Sequence, residues 1–280
     1  MQVFRTVSEL RQCSREQRKN GSTIALVPTM GALHAGHASL IRAARDSGAL
    51  VAVSIFVNPT QFGPNEDYAT YPRSFDADCA LAQSQGASVV FAPSVDELYP
   101  AGAATFVEVE GLSNRLDGLS RPGHFRGVST VVTKLLLAAE PDLAFFGQKD
   151  AAQVAVLRRM VTDLRLESKI VVCPIVREPD GLALSSRNVF LSPAERAQAL
   201  SLSRAIHRAE EMIAEGERTA GLLISAAREI FAAQPDVSVD YIELVDWATL
   251  EPIRTAAPGS LFAVAAWVGA TRLIDNAILA

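Results

Sequence analysis

Two imidazoles three residues apart, His34 and His37, stand in the segment Val27-Pro-Thr-Met-Gly-Ala-Leu-His-Ala-Gly-His37. An apolar run enters this segment and an amphipathic stretch leaves it near His34. Residues three apart share one face of a helix. A helix start offers unpaired N–H groups and the positive end of the macrodipole to an anion. Gly31 and Gly36 let backbone or ligand come close. Paired imidazoles there can hydrogen-bond phosphate oxygens and steady charge that develops during group transfer. A zinc pair would need a third ligand, and none follows nearby. A lone histidine would read as a cap, but the glycine turn, the strand before it and the pairing together favour phosphate.

Four further segments carry chemistry. In Ser54-Ile-Phe-Val-Asn-Pro-Thr-Gln-Phe-Gly63, Asn58 and Gln61 follow a second apolar run. Their amides suit a hydroxyl or carboxylate, although Asn-Pro is also an ordinary turn signal. The stretch from there to Tyr71-Pro-Arg73 is rich in Gly, Pro, Asn and Asp and reads as a flap, so residues 61–74 are expected to order on ligand binding. Arg121-Pro-Gly-His-Phe-Arg-Gly127 sets basic side chains before a helix, which fits either an anion or a solvated loop. Phe145-Phe-Gly-Gln-Lys-Asp-Ala-Ala-Gln153 repeats the order strand, glycine, helix. Lys149 then falls where the dipole disfavours a cation, a placement that an anionic ligand would offset, and Asp150 could act as a cap. Arg177-Glu-Pro-Asp-Gly-Leu-Ala-Leu-Ser-Ser-Arg-Asn188 ends in two hydroxyls and Arg187, whose guanidinium can grip a phosphate through two N–H groups.

These segments need a scaffold. The 280 residues are 49% hydrophobic and 20% charged, enough for one or two cored domains. With 26 basic and 31 acidic residues the net charge is −5, which argues against a general nucleic-acid partner. No apolar run approaches the ~18–20 residues that span a bilayer, and the amino terminus has no signal-type apolar region. Cys13, Cys79 and Cys173 are odd in number and far apart, as reduced thiols would be. A soluble, cytoplasmic protein without a membrane or nucleic-acid partner is expected.

Periodicity predicts a first helix capped at Thr6, with Glu9 completing a capping box, then strands at Thr23–Pro28, Leu50–Val57, Ser88–Phe91, Thr105–Val109, Leu143–Phe146 and Ile170–Val176. Helices are predicted at about His34–Ser47, Phe75–Gln85, Val128–Ala139 and Ala151–Leu166. Strands joined by helix-length crossovers imply an α/β, Rossmann-like parallel sheet with helices on both faces. Beyond Arg187 the pattern changes. Ser192, Pro193 and Glu195 open a long helix, Ala220–Phe231 forms a second, and two strands at Val239–Val245 and Leu261–Val268 suggest a small antiparallel α+β unit. The expected division is a catalytic domain over 1–182 and a smaller domain over 183–280.

The first segment resembles the HxGH signature of the nucleotidyltransferase superfamily, and in the form PTMGALHxGH it is similar to the pantothenate synthetases. The other four match that family in order, the last resembling its MSSRN form of the KMSKS-type loop, so the likeness covers roughly residues 23–192. It implies an ATP-dependent joining of pantoate to β-alanine through a bound pantoyl adenylate. It also implies that Met30, Gly31, Ala32, Leu33, His34, Ala35, Gly36 and His37 line the ATP site, with His34 and His37 on the phosphates and His37 a proton donor. Gly147, Gln148, Lys149 and Asp150 would meet the nucleotide, Lys149 steadying charge and Asp150 the ribose. Val176 would touch adenine through its backbone, and Leu184, Ser185, Ser186 and Arg187 would close over the triphosphate. Gln61 and Gln153 would hold pantoate, supported by Asn58 and Arg121. Magnesium is expected on the phosphates, with Asp76 and Asp78 as outer-shell candidates. A homodimer is the family's usual assembly.

Three positions depart from the family pattern: Ala35 where it has Glu, and Thr60 and Leu184 where it has Met. None removes a proposed catalytic group. The HxGH turn also serves nucleotidylyltransferases that keep the nucleotidylated product, and a non-catalytic nucleotide sensor is a third option. The substrate glutamines argue against the first alternative, and intact His37, Lys149 and Arg187 against the second.

Overall fold

The capping box at Thr6 forms as expected: Thr6 Oγ1 accepts the Glu9 N–H, and Glu9 reaches back to the Thr6 N–H. It opens helix α1 (Val7–Lys19), which follows a three-residue strand β1 (Gln2–Phe4). The computed structural model describes residues 1–64 and 68–280, so residues 65–67 of the expected flap lie outside the described residues. The chain divides into two compact units, residues 1–147 with 156–173, and residues 148–155 with 174–280. The expected boundary at 182/183 falls nine residues beyond the return into the second unit at Pro174.

In the first unit the chain continues through β2 (Ile24–Thr29), α2 (Ala35–Asp46), β3 (Leu50–Ile55), α3 (Phe75–Gln85), β4 (Val89–Phe91), α4 (Val95–Leu98), α5 (Asp117–Ser120), α6 (His124–Ala139), β5 (Leu143–Gly147), α7 (Ala151–Asp163) and β6 (Lys169–Cys173). The first five residues of α7 group with the second unit. All six strands are parallel, in the order β1-β4-β3-β2-β5-β6. Ala25 and Val27 of β2 pack with Leu40, Ile41 and Ala44 of α2, while the alternate residues Ile24 and Leu26 are buried just as fully. With a side-chain period of two, that pattern requires a sheet covered on both faces.

The strand order reverses between β2 and β5, and ligands of open α/β sheets bind at the carboxyl edge of such a switch point. Here Leu26 and Ala144 are the last registered pair, although β2 continues to Thr29 and β5 to Gly147. The two strands therefore part before their ends, opening a crevice at the edge that carries Met30 and Gly147.

In the second unit α8 (Pro193–Ala214) has Ser192 as its N-cap and Glu195 in the reciprocal position, as the sequence predicts. It is followed by α9 (Ala220–Ala232) and the antiparallel strands β7 (Val237–Asp246), β8 (Ser260–Val268) and β9 (Thr271–Ile278). Leu202, Ile206, Leu223 and Phe231 of the helices share one core with Phe262 and Val264 of β8.

Some expectations need correction. Residues 105–109 are not a strand: the Val107 N–H donates to Thr130 Oγ1 on α6 at 2.9 Å, so a helix side chain supplies the partner that a sheet would have supplied. The edge strand β1 and the last strand β9 lie outside the predicted set. Helix α6 begins four residues ahead of the predicted Val128, at His124.

Candidate active site

The turn after β2 brings Gly31 to φ +88° and Ala32 to φ +49°. The second value is costly for alanine, whose Cβ crowds the backbone in the left-handed region. A carboxylate holds the turn: Asp78 Oδ2 accepts from Ala32 N at 3.0 Å and Oδ1 from Leu33 N at 2.7 Å. Asp78 is 2% exposed, and its Oδ1 also accepts the Ser74 hydroxyl at 3.2 Å.

The turn delivers the chain into α2 with a histidine as its cap. His34 Nδ1 accepts from Gly36 N at 3.1 Å, and His37 Nδ1 accepts from His34 N at 3.3 Å, a capping box built from two imidazoles. Their ring centroids are 4.2 Å apart. A ring nitrogen that accepts a backbone N–H carries no proton, so the hydrogen-bond network assigns the proton of each neutral ring to Nε2. Each ring thus spends Nδ1 on the helix start and offers Nε2–H as a donor suited to phosphate oxygen.

Beside the turn, a single 3-10 turn at Pro59–Gln61 places Gln61 Nε2 3.2 Å from Met30 Sδ. Gln61 Oε1 accepts from Asn58 Nδ2 at 3.0 Å, so its NH2 end is the one directed toward Met30. The Gln61 carbonyl accepts from His124 Nδ1 at 2.8 Å and from Arg121 Nη2 at 3.4 Å. Since a carbonyl only accepts, Nδ1 of His124 bears the proton and Nε2 takes a hydrogen bond from Arg121 Nη1 at 3.1 Å. The Arg121-to-Gly127 segment thereby grips the backbone of Gln61. Gly127 itself lies against that turn: a Cβ there would sit 2.6 Å from Gln61 N and closer still to the Thr60 carbonyl.

In the second unit, Asn276 on β9 donates through Nδ2 to the carbonyls of Gln148 (3.0 Å) and Lys149 (2.9 Å). Lys149 Nζ lies 3.6 Å from Asp150 Oδ1. Trp247 Nε1 donates to the Ala151 carbonyl at 3.0 Å, and half-buried Gln153 lies two residues further along α7. Farther along, Leu184 N donates to the Val176 carbonyl at 2.9 Å, and Ser185 Oγ caps the turn Ser186–Phe190 by accepting Arg187 N at 3.2 Å. Asn188 Nδ2 donates to Glu178 Oε1 at 2.8 Å and to the Ala183 carbonyl at 3.1 Å. Arg196 Nη2 meets Glu178 Oε2 at 2.6 Å, and its guanidinium holds the Glu178 carboxyl below the usual carboxylate range. A bidentate pair of Arg177 with the 2%-exposed Asp275, at 2.6 and 3.0 Å, secures the base of the same segment.

Comparison with known proteins places this geometry. The family model described as pantoate–β-alanine ligase matches residues 2–278. The chain belongs to the pantoate–β-alanine ligase family. It is 55% identical over 279 residues to the pantothenate synthetase of Koribacter versatilis, covering 100% of the chain and 96% of that protein. With the pantothenate synthetase of Thermotoga petrophila it shares 53% identity, and both chains are covered in full. The crystal structure of pantothenate synthetase from Thermus thermophilus is similar at TM-score 0.93 and 44% identity, with 99% of each chain covered. That of pantoate–β-alanine ligase from Francisella tularensis, complexed with β,γ ATP and β-alanine, reaches TM-score 0.79 and 34% identity, covering 99% of this chain and 97% of that one.

Within a member of this family, what sequence reasoning passed over is how the expected residues are held in place. Asp78 serves the β2–α2 turn with both oxygens, and Asp76 is exposed on the first turn of α3. Asn58 is 1% exposed and spends its amide on protein partners. Asn276 and Asp275 had a visible signal, two adjacent polar residues in an otherwise apolar run, but their partners lie more than 90 residues away in sequence. Of the departures from the family pattern, Ala35 is exposed as the first residue of α2, Leu184 is half-buried, and Thr60 is hydrogen-bonded to Asn58. No helix among the described residues is long and apolar enough to cross a membrane.

Proposed function

We propose that the chain joins pantoate to β-alanine at the expense of ATP, through an adenylate formed on the pantoate carboxylate. The observation that carries this reading is the pair of imidazoles at the switch point of the sheet. Each is locked by its Nδ1 so that Nε2–H is a donor, and a glutamine NH2 stands beside the same turn. Donors fixed before the substrate arrives need no reorganisation as charge develops, which is where electrostatic catalysis gains most.

In the first step a pantoate carboxylate oxygen attacks the α-phosphorus, the bond to the β-phosphate oxygen breaks and pyrophosphate leaves. His34 and His37 hydrogen-bond the phosphates through Nε2–H, and His37 is the proton donor of its hydrogen bond, keeping that proton throughout. Met30, Gly31, Ala32, Leu33, Ala35 and Gly36 form the backbone of the nucleotide turn. Lys149 and Arg187 neutralise phosphate charge, with Gly147, Gln148, Leu184, Ser185 and Ser186 beside them. Asp150 takes the ribose and Val176 the adenine. Gln61 and Gln153 hold pantoate, with Asn58 and Arg121 acting through Gln61.

In the second step the β-alanine amine attacks the acyl carbon, the bond to AMP breaks and the amine proton is lost. Adenylation is required because a carboxylate is a poor acyl donor at neutral pH, whereas AMP leaves readily. In this reading residues 1–182 carry the ATP and pantoate contacts up to Val176, and 183–280 add the Leu184–Arg187 loop and the smaller domain.

Magnesium, when it accompanies the nucleotide, neutralises phosphate charge. Among the described residues no three His, Cys, Asp or Glu are grouped to hold a metal, and both Asp78 oxygens are engaged by the turn. The phosphates would therefore carry the ion, with Asp76 as the outer-shell candidate. A cytoplasmic homodimer belongs to the same reading, on the family resemblance.

An AMP-release assay with each substrate omitted in turn tests the proposal. AMP release should require ATP, pantoate and β-alanine together. A stable nucleotidylated product that accumulates whether or not β-alanine is present would make the chain a nucleotidylyltransferase instead.

A further inference from the structure

Tyr99 follows α4 and has no role in the scheme above. Its hydroxyl donates to Asn58 Oδ1 at 2.9 Å and lies 3.1 Å from Thr60 Oγ1. Thr60 brings two more donors to the same oxygen, its hydroxyl at 3.0 Å and its N–H at 3.3 Å. The other end of the amide faces acceptors only, the Gly127 carbonyl at 3.1 Å and Gln61 Oε1 at 3.0 Å.

An amide rotated by half a turn would set its NH2 against the Thr60 N–H and its oxygen against the Gly127 carbonyl, while the two hydroxyls would have to turn and accept. At a residue 1% exposed, that mismatch has no water to relieve it. The orientation of Asn58 is therefore over-determined, and with it the orientation of Gln61: Oε1 is consumed by Asn58, and Nε2 is left to face the Met30 side.

We infer that Tyr99 and Thr60 are positioning residues for the acid substrate: by donating to the Asn58 amide oxygen they hold that amide in place, and so fix Gln61 with its NH2 donors toward that substrate's oxygens. The inference rests on the reading that Gln61 binds pantoate. Tyr99 suits the task. The Phe56 ring packs at 6.3 Å and Lys134 Nζ lies 4.7 Å from the ring centroid, so the phenol ring is packed by two neighbours. Burial raises the phenol above its ordinary titration range, so its proton is present throughout neutral pH. Thr60 stands where the family has methionine, which has no hydroxyl to add.

The test is steady-state kinetics of the full chain with pantoate varied, comparing wild type, Tyr99→Phe, Gln61→Ala and the double variant. Tyr99→Phe should raise the pantoate KM about tenfold while the ATP KM holds, and kcat should fall much less than kcat/KM. Gln61→Ala should raise the pantoate KM at least as far. Adding Tyr99→Phe to Gln61→Ala should change it no further, because the tyrosine acts through the glutamine. If Tyr99→Phe does not fold, Thr60→Val removes one donor hydroxyl from the same oxygen and should shift the pantoate KM in the same direction. A Gln61→Ala enzyme with wild-type pantoate KM would end the reading of Gln61 itself. With Gln61→Ala impaired, a silent Tyr99→Phe (or Thr60→Val), or effects that add fully in the double variant, would overturn the role of Tyr99 and Thr60 alone.

Discussion

Asp78 and Ala32, 46 residues apart in sequence, meet through a hydrogen bond of 3.0 Å from the alanine N–H to the carboxylate. The alanine pays for the turn with a left-handed backbone, φ +49°, and the carboxylate offsets that strain with a second bond to Leu33 N. The turn between β2 and α2 is thus held open from outside its own segment. Asp78→Ala should destabilise the first unit by ~1–3 kcal/mol, the usual cost of orphaning buried donors. The ATP KM should rise about tenfold as the turn relaxes. Asp78→Asn, which keeps one acceptor, should fall between. A melting curve and an ATP titration read both effects, and an Asp78→Ala enzyme unchanged in each would remove the strut role.

Gly127 is required by close approach rather than by its φ. A Cβ 2.6 Å from Gln61 N meets backbone, which cannot swing aside as a side chain can. Gly127→Ala should push the Pro59–Gln61 turn outward, costing ~1–3 kcal/mol in stability as an overpacked core position does. The pantoate KM should rise more than the ATP KM. Equal changes in the two constants would argue against a local effect on Gln61.

Replacing the groups proposed to meet phosphate should affect turnover most. His37→Ala and Lys149→Ala should each lower kcat by ~100-fold or more, the scale on which preorganised electrostatic groups act. Asn276→Ala leaves the Lys149 ammonium in place but takes away the donor to the Gln148 and Lys149 carbonyls. It should lower kcat by about tenfold, less than loss of the lysine itself. Turnover equal to wild type in Lys149→Ala would take that residue out of the mechanism.

The Ser185–Asn188 loop should loosen in acid. Arg196, and after it the bond from Asn188, hold Glu178 lower in the folded protein than in the unfolded chain. A carboxylate with a lowered folded value contributes stability fully above its unfolded value, near pH 4.3, and loses it as pH falls through the folded value. Below that window Asn188 loses a charged acceptor. Glu178→Gln should flatten this part of the pH–stability curve, and the protection of the Arg187 and Asn188 amides relative to their intrinsic exchange rates should fall in acid in wild type only.

What the sequence determined by itself was local. The entry of β2 into the Gly31 turn, the two histidines at the start of α2, Lys149 after Gly147 and the Ser192 cap are each written within about a dozen residues. Hydrophobic period, glycine and capping chemistry act over that range. The same local reading erred at 105–109, where a strand-like pattern finds its partner in the Thr130 hydroxyl instead of a neighbouring strand.

Only the tertiary structure decided how the chemistry is aimed. Asp78 on the turn, Tyr99 on Asn58 and Asn276 on the Lys149 carbonyl join residues 46, 41 and 127 apart. None of these pairings has a period or a motif. A buried polar atom must find a partner wherever the fold provides one, and which partner that is depends on how the elements pack.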